Sequence, residues 1–207
     1  MGLIDKKNIL PNVESIPQLE LELGCGNRKR SRQAIGVDML DYPDVDIVGD
    51  VYEALALFPA QSVHAVYSYH FVEHVPDVPR LLFELARIVK PGGYVEFVAP
   101  HFSNSYFYSD PTHRSFFGLY TFCYFADQSI FARQVPTYGY KADFKLAEVD
   151  LVFKSTRPFF IRHGIRKVLG FFFNSSNFMK EMYEENFCYL LSCYEVKYKL
   201  RRHRLDT

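Results

Sequence analysis

Leu19-Glu-Leu-Glu-Leu-Gly-Cys-Gly-Asn-Arg28 decides how the chain is read. It reads as a short apolar strand that runs directly into a glycine turn. Gly24 and Gly26 carry no Cβ, so a backbone can approach a ligand closely there. The turn lacks the third glycine of a dinucleotide fingerprint and is a weak signal alone. Context strengthens it. Ala34 to Val37 reads as a second strand, closed by Asp38. Ligands of open parallel sheets sit beyond the carboxyl ends of the strands. A carboxylate there can accept hydrogen bonds from two ribose hydroxyls. Twelve positions separate Gly26 from Asp38 (38 − 26), against about 20 in the dinucleotide pattern. That spacing argues against a nicotinamide enzyme.

Only seven residues, Asn27 to Gln33, return the chain to strand two. A parallel crossover usually takes a dozen or more, and seven extended residues reach roughly 23–25 Å. The link from Asp38 to Val45 is equally lean. One sheet face should therefore lack helices near strands one to three. Apolar surface there would need cover, from an insertion or from a second subunit in a homodimer.

Further strands are expected at Val45–Val48, Val63–Ser68 and Tyr94–Ala99, with a short helix from Val51 to Phe58. Asp77 suits a helix N-cap, with Pro79 tolerated in the first turn. Val78, Leu81, Leu82, Leu85, Ile88 and Val89 then recur at helical spacing, and Pro91-Gly92-Gly93 ends that helix. Strands alternating with helices imply a mostly parallel sheet. Residues 1–18 read as a lead-in segment. Residues 101–143 are aromatic-rich and too long for a plain loop, so they read as a substrate-side insertion or lid. Phe144–Lys154 and Cys188–Leu200 suit two more strands, around a second insertion at 157–187. The tail Arg201-Arg-His-Arg204 reads as solvated.

Lys+Arg and Asp+Glu are both 24, which leaves no basic footprint for nucleic acid. Hydrophobic residues make up 48% of the 207, enough for one domain with a sizeable core. The four cysteines show neither metal spacing nor a disulfide framework. No signal-peptide order and no membrane-length apolar run is present. A cytoplasmic protein is expected.

Taken together, these residues resemble the class I S-adenosylmethionine-dependent methyltransferases. The likeness runs from Leu19 to His101, about half the chain. Glu22-Leu-Gly24-Cys25-Gly26-Asn27 resembles the motif that wraps the methionine part of the cofactor. Gly36-Val-Asp38, with Met39 next, resembles the acidic end of strand two that holds the ribose. Gly49-Asp50 resembles the third motif, where the Asp side chain and the next amide, Val51, reach adenine. Glu73-His74-Val-Pro-Asp77 and Lys90-Pro-Gly-Gly93 are similar to the stretches after strand four and before strand five. His64 departs from the Asp usual before strand four. The resemblance implies a Rossmann-like, three-layer α/β fold with a seven-stranded, mostly parallel sheet and an aromatic-rich insertion after strand five. It also implies S-adenosyl-L-methionine as cofactor, with Ser68, Tyr69, His70 and His74 completing the pocket. Asp110-Pro-Thr-His113-Arg-Ser-Phe-Phe117 resembles a small-molecule (type 11-like) subgroup associated with bacterial cell-surface polysaccharide biosynthesis. This favours a sugar or glycan acceptor.

Methyl transfer needs orientation and exclusion of water, and a hydroxyl acceptor usually needs a base. His101, just past strand five, and His113, with Asp110 three residues before it, are the candidates. The competing reading is that His113 and Asp110 only tie down a loop. A catalytically inactive cofactor-binding scaffold is the alternative function. His70-Phe-Val-Glu73-His74 matches a zinc-peptidase pattern. It lies at a strand end just before Pro76, badly placed for a long helix, so no metal is expected. Phe159–Phe173 mixes bulky apolar residues with cations. Packing on the sheet is favoured over peripheral contact with a membrane surface, and Gly164 and Gly170 weigh against a long helix.

Overall fold

The strand of the opening stretch sits at a branch point of the sheet. In the computed structural model, which describes residues 2–204, the chain runs β1 (Ile4–Asp5), β2 (Glu20–Leu23), β3 (Ile35–Asp38), β4 (Ile47–Val48), α1 (Val51–Ala56), β5 (Val63–Tyr69), α2 (Val78–Ile88), β6 (Val89–Pro100), β7 (Asp127–Gln128), β8 (Phe144–Val152), α3 (Phe160–Phe173), α4 (Asn177–Asn186) and β9 (Glu195–Arg202). β2 pairs in parallel with β3 on one side and β5 on the other. The chain reverses its order across the sheet there, which opens a crevice at the strands' carboxyl ends.

Among the described residues the sheet has nine strands, not seven, in the order β1-β4-β3-β2-β5-β6-β9-β8-β7. The two additions are edge strands of two residues each, too short to carry a period. β1 comes from the supposed lead-in and pairs antiparallel with β4. β7 pairs in parallel with β8. β9 is antiparallel to both its neighbours. It starts at Glu195, later than expected, and runs through Arg201 and Arg202. Arg202 is tied in through the Ala86 and Asp143 carbonyls rather than solvated.

The two faces of the sheet differ in chemistry. Leu21 lies in register with Ile35 and Val66, Val66 with Val95, and Val95 with Leu200. All five are buried. Side chains alternate along a strand, so the next residues make the opposite face. There Glu22 lies beside Tyr67, Tyr67 beside Glu96, and Glu96 beside Lys199. The helices and the aromatic segment share one core cluster with the apolar face, through Leu55, Leu81, Phe122, Phe173 and Tyr183. The expected three-layer order is thus two layers among the described residues. No helix interrupts 24–34 or 39–46. The uncovered face is polar there, so it needs neither the insertion nor a second subunit.

α2 starts at Asp77, whose side chain accepts from the Arg80 amide. α3 runs 14 residues through both Gly164 and Gly170, against the expectation. Two helical glycines cost about 2 kcal/mol relative to alanine. Polar anchors offset this: Asn174 bonds both the amide and the carbonyl of Leu151, and Arg166 donates to Lys154 O and Ser192 Oγ. α3 does not lay its apolar side on the sheet. Phe173 is buried, while Ile161 and Phe171 are 83% and 84% exposed. No described helix is long and apolar enough to cross a membrane.

Candidate functional site

The glycine turn is held by its neighbouring strands. Gly24 N donates to Val37 O at 2.8 Å, and Gly49 N donates to Asp38 O at 2.9 Å. Asp38 fixes the turn from the side: Oδ2 accepts from Gly26 N at 2.8 Å, and Oδ1 from Leu40 N at 2.9 Å. Gly24 and Gly26 both have left-handed backbones, φ +65° and +59°. A Cβ on Gly24 would lie 2.5 Å from the Phe71 side chain, whereas one on Gly26 would meet nothing within 4 Å. The first glycine is closed against protein. The second is open to a cavity of about 560 Å³.

Gly24, Gly26, Asp38, Met39, Asp50, Val51, His70 and His74 line that cavity. Leu40, Tyr42, Tyr52, Phe71, Val75, Pro76 and Thr112 complete its walls. Asp50 is also the N-cap of α1; its Oδ1 accepts from the Tyr52 and Glu53 amides. β5 ends at Tyr69, and the chain swings at His70, a non-glycine residue with φ +54°. Such a conformation is uncommon and is held only by its surroundings. His70 Nε2 lies 2.8 Å from Glu195 Oε1, and Nδ1 lies 3.4 Å from Glu73 Oε1. Those carboxylates, Glu195 first, push the His70 pKa up to about 9. Burial opposes ionisation of Glu195, but hydrogen bonds from His70 and Lys154 outweigh it and hold its carboxyl below the ordinary range.

A second cavity, of about 230 Å³, adjoins the first and shares His70 and His74 with it. Glu73, Asn104, Tyr106, Asp110, His113 and Tyr194 face it. Arg114 N donates to Glu73 O at 2.7 Å, which ties the 110–117 segment over the end of β5. Thr112 Oγ1 donates to Asp110 Oδ1 at 2.6 Å. Its one proton is thereby used, so at 2.9 Å it accepts from His74 Nδ1. His113 Nδ1 donates to Phe107 O at 2.8 Å. Asp110 Oδ2 lies 3.7 Å from His113 Nε2.

Residues 21–97 match the family described as "Methyltransferase domain". The match covers 77 of the 207 residues. It spans β2 to the body of β6 and includes the glycine turn, Asp38 and Asp50. No curated protein matches the sequence. Among solved structures, a SAM dependent methyltransferase from Archaeoglobus fulgidus is similar at 18% identity and TM-score 0.55, over 95% of this chain and 90% of that one. A Haemonchus contortus phosphoethanolamine N-methyltransferase 2 is similar at 15% identity and TM-score 0.51, over 91% of this chain and 49% of that one. It was solved with phosphomonomethylethanolamine and S-adenosylhomocysteine. At these identities the likeness establishes a shared Rossmann-like fold.

Several expected positions lie elsewhere. Glu22 is buried behind the glycine turn, accepting from the Arg30 and Ser31 amides. It shapes the 27–33 link instead of facing the cavity. Cys25 points into a small cluster with Val45 and Val48; burial first, then Asp38 and Glu22, push its thiol up to about 12. Asn27 is exposed outside the cavity. Ser68 points into the core and Tyr69 to the polar face, where it bonds Glu96. Both belong to a strand that runs to Tyr69, so the turn and its lining residues come one step later. His101 is fully buried. The Ser103 amide donates to its Nδ1, and its Nε2 donates to Glu184 at 3.1 Å. With both nitrogens engaged it braces β6 against α4 and faces neither of these cavities. Thr112 and Phe71 were missed: one reaches the cavity from the far side of the chain, and the other is an unremarkable core residue type.

Proposed function

We propose that the chain transfers the methyl group of S-adenosyl-L-methionine to a hydroxyl of a small molecule, a sugar or glycan precursor. The observation that carries the reading is a pair of adjoining cavities with different walls. The larger has the glycine turn, Asp38 and the start of α1 in sequence order, with apolar Leu40, Val75 and Pro76 between them. This donor set suits an adenosylated methionine. Open space at Gly26 admits the methionine portion. Asp38 keeps lone pairs for ribose hydroxyls, since each oxygen accepts only one amide. Asp50 and Val51 border the adenine end. When bound, the sulfonium supplies the electrophilic methyl group.

The smaller cavity takes the acceptor. Tyr106 and Tyr194 offer aromatic walls, their rings 6.2 Å apart and edge-on. Glu73, His74 and His113, with Asp110 beside them, orient the reacting hydroxyl and deal with its proton. His101 has no part in this. The amine substrate of the Haemonchus relative marks the competing acceptor class. A scaffold without turnover is the competing function. The exposed face of α3 rests on a lipid surface in this reading, as suits a lipid-linked glycan precursor.

Labelled methyl transfer to a panel of nucleotide sugars and lipid-linked sugars tests the proposal, with ethanolamine phosphates as the amine arm. Label in a sugar product supports it. Label in the amines alone, or cofactor binding with no product, overturns it.

A further inference from the structure

Glu73 is unusual in this molecule. It is 1% exposed, and neither carboxylate oxygen has a hydrogen-bond partner. Its ion-pair partner, His70 Nδ1, lies 3.4 Å away, and no hydrogen bond joins the two. One long ion pair without hydrogen bonds leaves a buried carboxylate under-satisfied. What faces it is informative. One ligand atom each from Glu73, His74 and His113 lie within 4.8 Å of one another. The three come from two separate segments, the short 3₁₀ turn at Val72–His74 and the 110–117 segment.

The imidazoles are set up alike. His113 spends its Nδ1 proton on the Phe107 carbonyl. His74 spends its own on Thr112 Oγ1, because the threonine proton goes to Asp110. Both rings are therefore held in the tautomer that presents Nε2 as a lone pair. Fixing a ligating ring through its other nitrogen is how proteins orient histidines toward metals. The peptidase-like pairing of His70 with His74 does not form. His70 bridges Glu73 and Glu195, and His113 stands beside His74 in its place.

We propose that Glu73, His74 and His113 bind one divalent cation at the junction of the two cavities. Two imidazoles and one carboxylate suit Mn²⁺, Fe²⁺, Co²⁺ or Zn²⁺ rather than the all-oxygen shells of Mg²⁺ or Ca²⁺. Three protein ligands leave coordination positions open, and these face the smaller cavity, where a hydroxylated acceptor coordinates through oxygen. The cation binds and orients the acceptor, and a metal-bound hydroxyl is more acidic. This last role rests on the methyltransfer reading; cation binding does not.

The test is titration of chelator-treated protein with Co²⁺, followed by d–d absorption, with Mn²⁺ paramagnetic resonance as a second probe. The expected result is one site per chain. His113→Ala and His74→Gln should weaken it by roughly tenfold or more, an effect at least as large as loss of an outer-shell partner. Glu73→Gln should do the same. It fills the buried position with an uncharged group, so melting temperature is measured beside it to separate lost metal from lost fold. His203→Ala, at a surface histidine paired with Asp127, should leave the site intact. Absence of a cobalt spectrum, or a spectrum unchanged in both histidine variants, overturns the site. Calorimetry of S-adenosylhomocysteine on the same metal-free protein separates the two readings. Cofactor binding without cobalt binding sinks the metal site alone, and cobalt binding without cofactor binding sinks the methyltransfer reading.

Discussion

Residues 20–100 and residues 101–194 wall the same two cavities by different means. In the first region the ligand-facing groups sit at strand ends and are fixed by backbone: Asp38 by the amides of Gly26 and Leu40, Asp50 by the first turn of α1. In the second they sit on irregular chain and are fixed by mixed contacts: Thr112 by the Asp110 carboxylate, His113 by the Phe107 carbonyl, Asn104 by Tyr194 O and Tyr106 N. Asp38 and Asp50 are held by residues at most a dozen positions away. In the second region Asn104 depends on a carbonyl 90 positions away. The first region is therefore stiff and suited to a constant ligand. The second can change its lining without disturbing the sheet.

Substitutions should divide along the same line. The largest effect is expected at Gly24. Gly24→Ala adds left-handed strain and a 2.5 Å overlap with Phe71, together about 3 kcal/mol or more. Calorimetry should show S-adenosylhomocysteine binding at least about a hundredfold weaker, with a lower melting temperature. Gly26→Ala has no overlap and should weaken binding with the melt nearly unchanged. Equal effects at the two glycines would break the distinction between a closed and an open position.

Asp38→Ala removes the acceptor for two turn amides and should cost about 1.5–3 kcal/mol in cofactor affinity, without touching an acceptor KM. Asp46 tests the polar face of the first region. It is 2% exposed, and its Oδ2 meets Lys29 Nζ at 2.6 Å and the Gly36 amide at 2.8 Å. Burial opposes its ionisation, but the contacts from Lys29, Lys7 and Gly36 outweigh it and hold the carboxyl below its ordinary 3.8. A lowered folded-state value stabilises the fold above the ordinary value, and that stability is lost as pH falls through the lowered one. Denaturant titrations should show Asp46→Asn less stable by about 2 kcal/mol at pH 7. The gap should narrow below pH 3.8.

Effects in the second region should be smaller and confined to the acceptor. Tyr106→Ala removes one aromatic wall, worth about 0.5–1.5 kcal/mol. It should raise acceptor KM about two- to tenfold with cofactor affinity unchanged. Phe171→Asp, at an 84% exposed position, should shift stability by less than about 0.5 kcal/mol. It should also abolish co-sedimentation with anionic vesicles. Arg166, tied to Lys154 O and Ser192, should matter less to that binding than Lys167.

The same contrast explains what could be read from sequence. The glycine turn and Asp50 each follow a strand within a few residues and Asp38 ends one, so local pattern places them. Ser68 and Tyr69 were misplaced because one extra residue of strand decides which side chain reaches a turn. His101 lies just past a strand end, where a base is expected, but its Nε2 partner, Glu184, is 83 positions away, beyond any local signal. The two-layer packing was hidden for a related reason. The short links predicted missing helices, while the polarity of the bare face emerges only when Glu22, Tyr67, Glu96 and Lys199 are seen in register.

The most direct test of the account is a calorimetric titration of the protein with S-adenosylhomocysteine, repeated on Asp38→Ala. The account predicts one bound equivalent per chain and a clear loss of affinity in the variant. Absence of binding, or binding that Asp38→Ala leaves unchanged, would contradict it.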